Sequence, residues 1–281
     1  MDISQKKIRL FQTHIFSWWE THKRDLPWRH TRDPYRILIS EVMLQQTQVS
    51  RVLPVYAAFI KEFPTVSDLA SAPLSRVLVA WKGMGYNRRA LFLKKAAQSV
   101  CDNYNGNFPD DELHLLSLPG VGKYTARAIL VFAFNKQVSM VDTNIRQIIR
   151  HEIFEDKEVS ESEIERMADT LVPPGLSWEW HQALMDYGAS ELIDIRKHIP
   201  LKKRVSRTKK NATPFRQTKR FIRGKLIDAL RESGVACPTL IRRVADSTGR
   251  DVEIVTTCVE DLLREGLIEK SPDDIVSLSS L

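Results

Sequence analysis

Helical periodicity dominates the first 194 residues and limits the fold more than any single motif. Apolar residues recur there at three- and four-residue spacings, while strand-like alternation is scarce until the last segment of the chain. The pattern predicts helices over Ile3–His22, from near Arg36 through ILISEVML, and over Val49–Glu62, Arg88–Tyr104, Tyr124–Phe134, Thr143–Ile153, Ser160–Leu171 and Trp178–Ile193, with shorter ones between. The breaks carry Pro, Gly or Asn, as helix ends should. The class is therefore all-α.

At 281 residues the chain has room for two domains, or one large domain with an appendage. Its charge is unevenly spread. The net charge is +7, yet Ile195–Ile227 alone holds thirteen Lys/Arg and no Asp or Glu, which leaves −6 on the rest. One basic segment on a mildly acidic body suggests a polyanionic partner, although a solvated linker has the same composition. Residues 195–214 lack periodicity and read as a linker or arm. Phe215–Glu232, Pro238–Ser247 and Asp251–Glu265 then read as three helices, and LIEK and DIVSL as a hairpin, so 215–281 has the plan of a winged-helix module. Its third helix carries Glu253, Glu260 and Asp261, a poor charge pattern for a DNA groove. Packing or contact with a protein partner stands level with DNA binding there.

Cys101, Cys237 and Cys258 are too few and too scattered for a disulfide framework or a Cys-rich metal site. No apolar run has transmembrane length, and Met1 opens no signal-peptide pattern. The expectation is a soluble, intracellular monomer, cytoplasmic and nucleoid-associated if bacterial, with no membrane partner.

The stretch LPGVGKYTARAI, Leu118–Ile129, packs a proline and two glycines ahead of an Ala-rich helix. It is neither a Walker loop nor GxGxxG, and no strand precedes it. Glycines let a backbone approach a phosphate, and the free N–H groups of the following helix favour an anion. Such a turn grips a nucleic-acid phosphate without base specificity; a plain αα-corner is the structural alternative.

LPGVGKYTA resembles the helix–hairpin–helix of the base-excision DNA glycosylases of the helix–hairpin–helix, Gly/Pro-rich, Asp (HhH-GPD) superfamily. That family places an essential Asp about twenty residues further on in a VDxN context, and this chain has VDTNIR with Asp142 and Asn144. The resemblance implies a two-lobed fold over 1–194, with a six-helix lobe over about 36–150 and a second lobe from the N-terminus and 151–194. It also implies double-stranded DNA as partner, gripped at Leu118, Gly120, Val121, Gly122 and Lys123. Lyase-type members, such as the endonuclease III branch, carry a lysine where this chain has Tyr124. A phenol forms no Schiff base, and Lys123 lies about 100° away around the helix, so base hydrolysis without efficient strand cleavage is expected.

LPWR (Leu26–Arg29), DPY, SEVMLQQTQV (Ser40–Val49), WKGMGYNRRA (Trp81–Ala90) and WHQALMDYGA (Trp180–Ala189) resemble MutY-type adenine DNA glycosylases specifically. That resemblance makes Glu41 the general acid and places Gln45 and Gln46 at the DNA. Gln46 would enter the duplex beside the lesion's partner, and Tyr86 would wedge into the base stack. Trp28 and Arg29 would line the base pocket, and Tyr124 and Asn144 would assist Asp142. The chemistry agrees. A neutral carboxylic acid can protonate a purine, and an ionised one can stabilise an oxocarbenium-like sugar. Glu41 follows the apolar run ILIS, where burial would raise its pKa; Asp142 opens a predicted helix, which would favour its ionised form.

Two departures stand out. Most MutY-type enzymes carry four cysteines in C-x6-C-x2-C-x5-C around a 4Fe–4S cluster. Leu192 stands where the first should be, and no cysteine follows until Cys237, so no cluster or other cofactor is expected. Lys202, Lys203 and Arg204, with Arg207, Lys209 and Lys210, occupy that region and are expected to contact DNA instead. The second departure is the absence of the β-rich domain with which the family recognises 8-oxoguanine, since Phe215–Leu281 is too short and too helical. Adenine opposite 8-oxoguanine or guanine is the first reading of the substrate. A thymine or uracil mismatch glycosylase is the second, and a DNA-binding module without catalysis the third.

Overall fold

The computed structural model describes residues 3–192 and 214–280, so Lys202, Lys203 and Arg204 lie outside the described residues. Eleven α-helices make up the first segment: α1 (Gln5–His22), α2 (Pro34–Leu44), α3 (Val49–Glu62), α4 (Val66–Ser71), α5 (Leu74–Ala80), α6 (Arg88–Tyr104), α7 (Glu112–Ser117), α8 (Lys123–Phe132), α9 (Thr143–Ile148), α10 (Glu161–Leu171) and α11 (Ser177–Ser190). A π-helical turn, Ile149–Ile153, extends α9. The C-terminal segment adds α12 (Lys219–Ala229), α13 (Cys237–Thr248), α14 (Val252–Arg264) and the strands β1 (Val235–Ala236), β2 (Ile268–Lys270) and β3 (Ile275–Leu278). β3 pairs antiparallel with both others, giving the order β1-β3-β2. β1 is two residues long, too short to show an alternation in the sequence. Among the described residues no helix is long and apolar enough to cross a membrane.

Among the described residues, one compact unit takes the chain up to Leu38, Asp110–Leu116 and the stretch from Val121 to 192; the other takes Ile39–Pro109, Ser117–Gly120 and 214–280. The sequence reading draws its six-helix lobe over about 36–150. In the first unit α8 and α9 stand with the N-terminal helix, and Ile145, Ile148 and Ile149 of α9 and its π-helical extension pack with Ile8, Phe11 and Ile15 of α1. The spacing 8, 11, 15 is one face of a helix.

In this first unit α11 carries the polar anchors. Asp186 is buried and accepts from Arg29 through both oxygens, at 2.7 and 2.8 Å, from Arg24 Nε at 2.5 Å and from Trp19 Nε1 at 2.9 Å. Burial alone would raise its carboxyl, but the hydrogen bonds from Arg29 and Arg24 outweigh that and hold it below the ordinary range. His181 is buried and neutral: Nδ1–H donates to the Ser177 carbonyl at 2.7 Å, and Nε2 accepts from the Met140 amide at 3.1 Å. Desolvation lowers its pKa to about 4. His181 thereby ties the segment before Asp142 to α11.

The second unit is built on α6, whose buried Ala90, Leu93, Ala96, Ala97 and Val100 form one face. Lys94 is buried on the same helix, and its ammonium donates to the Ala70 carbonyl at 3.0 Å. In the C-terminal segment, Ile222, Leu226 and Ile227 of α12, Leu240 and Val244 of α13 and Val255, Cys258 and Leu262 of α14 are buried. The Arg231 guanidinium donates to the Leu78 carbonyl of α5.

Replacing Asp186 by Asn leaves the Arg29 guanidinium buried without its counter-charge. A loss of about 3–5 kcal/mol is expected in urea unfolding at pH 7. Because the carboxyl is held low in the fold, its contribution is present above the ordinary carboxylate range and lost as pH falls through its folded value, so the difference between variant and parent shrinks in acid.

Candidate active site

Glu41 sits in the middle of α2, and from Tyr35 to Met43 only Arg36 is exposed. A helix buried nearly all round normally carries no carboxylate. Glu41 is 5% exposed.

Helix α2 ends at a tight turn, and the end is held by one side chain. Nη1 of Arg89 donates to the carbonyls of Val42, Met43 and Gln45 at 2.7, 3.1 and 2.7 Å. Nη2 reaches Thr47 Oγ1 at 3.3 Å and the carbonyls of Met84 and Gly85 at 2.9 and 3.3 Å. A cation at a helix C-terminus is favourable. Desolvation lowers the Arg89 pKa to about 10, which leaves it charged at neutral pH. The two turns it joins carry Gln46 and Tyr86, both exposed and both in the left-handed region, with φ of 54° and 46°. Non-glycine residues there are strained by roughly 1–3 kcal/mol, and such strain gathers at sites that must present a side chain outward. The sequence reading missed Arg89, although it stands in WKGMGYNRRA, three residues after Tyr86 and on the first turn of α6.

Asp142 is the N-cap of α9, and its Oδ1 accepts from the Ile145 amide at 2.7 Å. The sequence reading expects the helix start to favour the ionised form. The structure reverses that direction: burial raises the carboxyl, and the amides of Ile145 and Asn144 and the charge of Arg146 only partly oppose it. Asn144 follows on the same turn. An added Cβ on Gly188 of α11 would lie 3.1 Å from Asn144 Cβ and 3.2 Å from Ile148 Cδ1, so this glycine permits the close approach of α9 to α11. Tyr124 lies on the first turn of α8, half-buried.

The two hairpin glycines differ. Gly120 has φ +78°, and a Cβ there would lie 2.6 Å from Phe92 Cβ, so its conformation and its packing both demand glycine. Gly122 is the N-cap of α8 with extended backbone (φ −93°) and open space where a Cβ would be. Of the two, Gly122 alone presents unobstructed backbone outward. Leu118 and Val121 are buried and anchor the turn. Lys123 is exposed and pairs with Glu165 at 2.6 Å.

Trp28 is buried in a single 3₁₀ turn, Pro27–Arg29. Arg29, expected at a base pocket, pairs with Asp186, and its side chain is 6% exposed. Leu192, at the place of the first cluster cysteine, is buried in the apolar core of the first unit. The chain's three cysteines cannot supply four thiolates, so its residues do not fit a 4Fe–4S cluster. Of the residues singled out from sequence, Trp28, Arg29, Val121, Gly122, Lys123, Tyr124, Asp142 and Asn144 belong to the first unit; Glu41, Gln45, Gln46, Tyr86, Leu118 and Gly120 belong to the second.

Two substitutions separate the glycines. Gly120→Ala is expected to cost about 1–3 kcal/mol in urea unfolding, whereas Gly122→Ala stays within about 0.5 kcal/mol of the parent. A third variant tests the buried carboxyl. A raised Asp pKa means a stability cost present above the folded value and absent below the unfolded one. Asn keeps the cap and removes the charge, so Asp142→Asn should raise Tm at pH 7–8 and lose that gain on acidification; a Tm series against pH reads it directly.

Comparison with known proteins adds the family. Residues 39–174 match the HhH-GPD superfamily base excision DNA repair protein model. The chain is 37% identical over 192 residues to the thymine/uracil-DNA glycosylase of Methanothermobacter thermautotrophicus, covering 67% of this chain and 87% of that one. It is 33% identical to the adenine DNA glycosylase of Mycolicibacterium smegmatis, with 94% of each chain covered. Among solved structures, a thermostable thymine-DNA glycosylase superposes with a TM-score of 0.62 at 37% identity, over 66% of this chain and 87% of that one. An endonuclease III–DNA complex, at 22% identity and a TM-score of 0.58, shares the fold over 67% of this chain and 87% of that one. With a buried carboxylate on α2, an aspartate capping α9 and a glycine hairpin before α8, the chain belongs to the HhH-GPD superfamily of base excision DNA repair proteins.

Proposed function

We propose that this DNA glycosylase removes adenine mispaired with guanine or 8-oxoguanine from duplex DNA, leaves an abasic site, and does not cleave the strand efficiently. The observation that carries the choice of adenine is the length of the likeness. The adenine glycosylase relative aligns over 94% of this chain, including most of the C-terminal module, whereas the thymine/uracil relative accounts for 67%. The SEVMLQQTQV run around Glu41 favours the same substrate.

The target base leaves the stack before it reaches the carboxylates. Gln46 and Tyr86 enter the space it vacates, and the backbone at Gly122 holds a phosphate at the start of α8. Glu41 donates a proton to a ring nitrogen of the adenine. The C1′–N9 bond breaks, and its electron pair goes to the departing base. Asp142, ionised, offsets the positive charge that develops on the sugar, and water adds at C1′ with loss of a proton. Tyr124 and Asn144 support Asp142. Tyr124 supplies no amine, and Lys123 is engaged with Glu165, so no Schiff base forms to start β-elimination. The chain works without an iron–sulfur cluster, and packed Leu192 follows α11 instead.

A thymine or uracil glycosylase is the second reading, favoured by the 37% identity and the TM-score of 0.62 to proteins of that name. A panel of duplexes decides. With A opposite 8-oxoguanine, A opposite G, T opposite G and U opposite G, followed by alkali, cleavage is expected on the two adenine duplexes and only after alkali. Cleavage confined to T·G and U·G would replace the first reading with the second, and breaks without alkali would overturn the role given to Tyr124. Asp142→Asn abolishes excision, and Glu41→Gln lowers it by about 10²–10⁴-fold on adenine. Because burial raises the Asp142 carboxyl, excision falls away on the acid side at a higher pH than an ordinary carboxylate would give.

A further inference from the structure

The turns that carry Gln46 and Tyr86 form one wall of a cavity of about 890 Å³, and helix α12 with the Phe215 turn before it forms another. All of its lining belongs to the second unit. The size is that of a small-molecule site, but the lining is unusual: seven Lys/Arg side chains face two carboxylates, Asp228 and Glu265. Those carboxylates are taken. Glu265 holds Arg223 at 2.5 Å and approaches Arg88 at 3.8 Å, and Asp228 holds Arg231 at 2.9 Å. Arg89 is committed to backbone carbonyls. Among the described residues, Arg51, Arg220 and Lys225 pair with no carboxylate, which leaves three cations to meet an anion.

The apolar part of the lining is aromatic. The Arg220 guanidinium lies 4.3 Å from the Tyr86 ring centroid and 4.8 Å from that of Phe215, and it donates to the Tyr86 hydroxyl. Phe215 is 53% exposed, with its ring edge-on to Phe221 at 5.5 Å between centroids. Aromatic faces beside unpaired cations match a nucleobase with its flanking phosphates. An apolar metabolite would leave the cations idle, and a bare phosphate would leave the rings idle.

We propose that this cavity receives the nucleotide opposite the excised base, with its base on Phe215 and Tyr86 and its flanking phosphates on Arg220, Arg51 and Lys225. The assignment to that strand rests on the reading of Gln46 and Tyr86 as residues that enter the duplex, since the nucleotide left unpaired beside them is the target's partner. It gives α12 the DNA contact that acidic α14 is ill suited to make. Arg220 then covers the Tyr86 ring in the free protein and moves to phosphate when the ring enters the stack.

The test uses the full chain and a duplex with 5-iodouracil opposite a tetrahydrofuran abasic analogue. After irradiation, cross-linked peptides containing Phe215 or Phe221 are expected, because those residues line this cavity and no other proposed contact. In parallel, a Phe215→Ala/Arg220→Ala variant should bind the abasic duplex about tenfold more weakly, with a salt slope shallower by about 1 for one lost phosphate contact. Tight binding with cross-links only outside the cavity and an unchanged salt slope would overturn the assignment while leaving the glycosylase reading intact. No binding to any lesion duplex would bring down that reading itself.

Discussion

The guanidinium of Arg89 fastens six acceptors from two separate turns of the second unit. It closes the C-terminus of α2, the helix that carries Glu41, and it fixes the turns where Gln46 and Tyr86 stand at positive φ. Each of those conformations is uphill by itself. A planar fork with five donors can satisfy several carbonyls at once, which a lysine cannot. The strain at the two outward-pointing side chains is thus held by a half-buried cation, which also closes the helix that carries Glu41.

Helix α11 plays the corresponding part in the first unit. Asp186 gathers Arg24, Arg29 and Trp19, His181 fixes the chain before Asp142, and Gly188 lets α9 come close. These three residues fall within one WHQALMDYGA run: His181 and Gly188 pack it against the segment around Asp142, and Asp186 holds Arg24, Arg29 and Trp19. Burial raises the Asp142 carboxyl that this support holds, and the proposed reaction places the developing sugar cation beside it.

Most helices were legible because their apolar spacing and breakers agree, as in α3 and α6, whose ends fall where the pattern puts them. The residues that resemble the family were legible from order and spacing. The partnering of side chains was not. Nothing in the sequence says that Arg29 spends its guanidinium on an aspartate 157 positions away, or that Arg89 reaches back to Val42. The direction of the Asp142 shift was misjudged because an N-cap and a burial pull oppositely, and only the packed structure weighs them. Gly120 and Gly122 look alike in LPGVG; the close approach of Phe92 separates them. The short strand β1 gives no periodic signal, and its pairing with β3 comes from tertiary context.

The proposed reaction breaks the bond between adenine and sugar with two carboxyl groups, Glu41 and Asp142, and no amine nucleophile. Borohydride reduction during turnover on a duplex bearing adenine opposite 8-oxoguanine tests it most directly. Free adenine should accumulate with no covalent protein–DNA adduct, because no Schiff base is present to be reduced. An adduct that forms as adenine is released would contradict the claim.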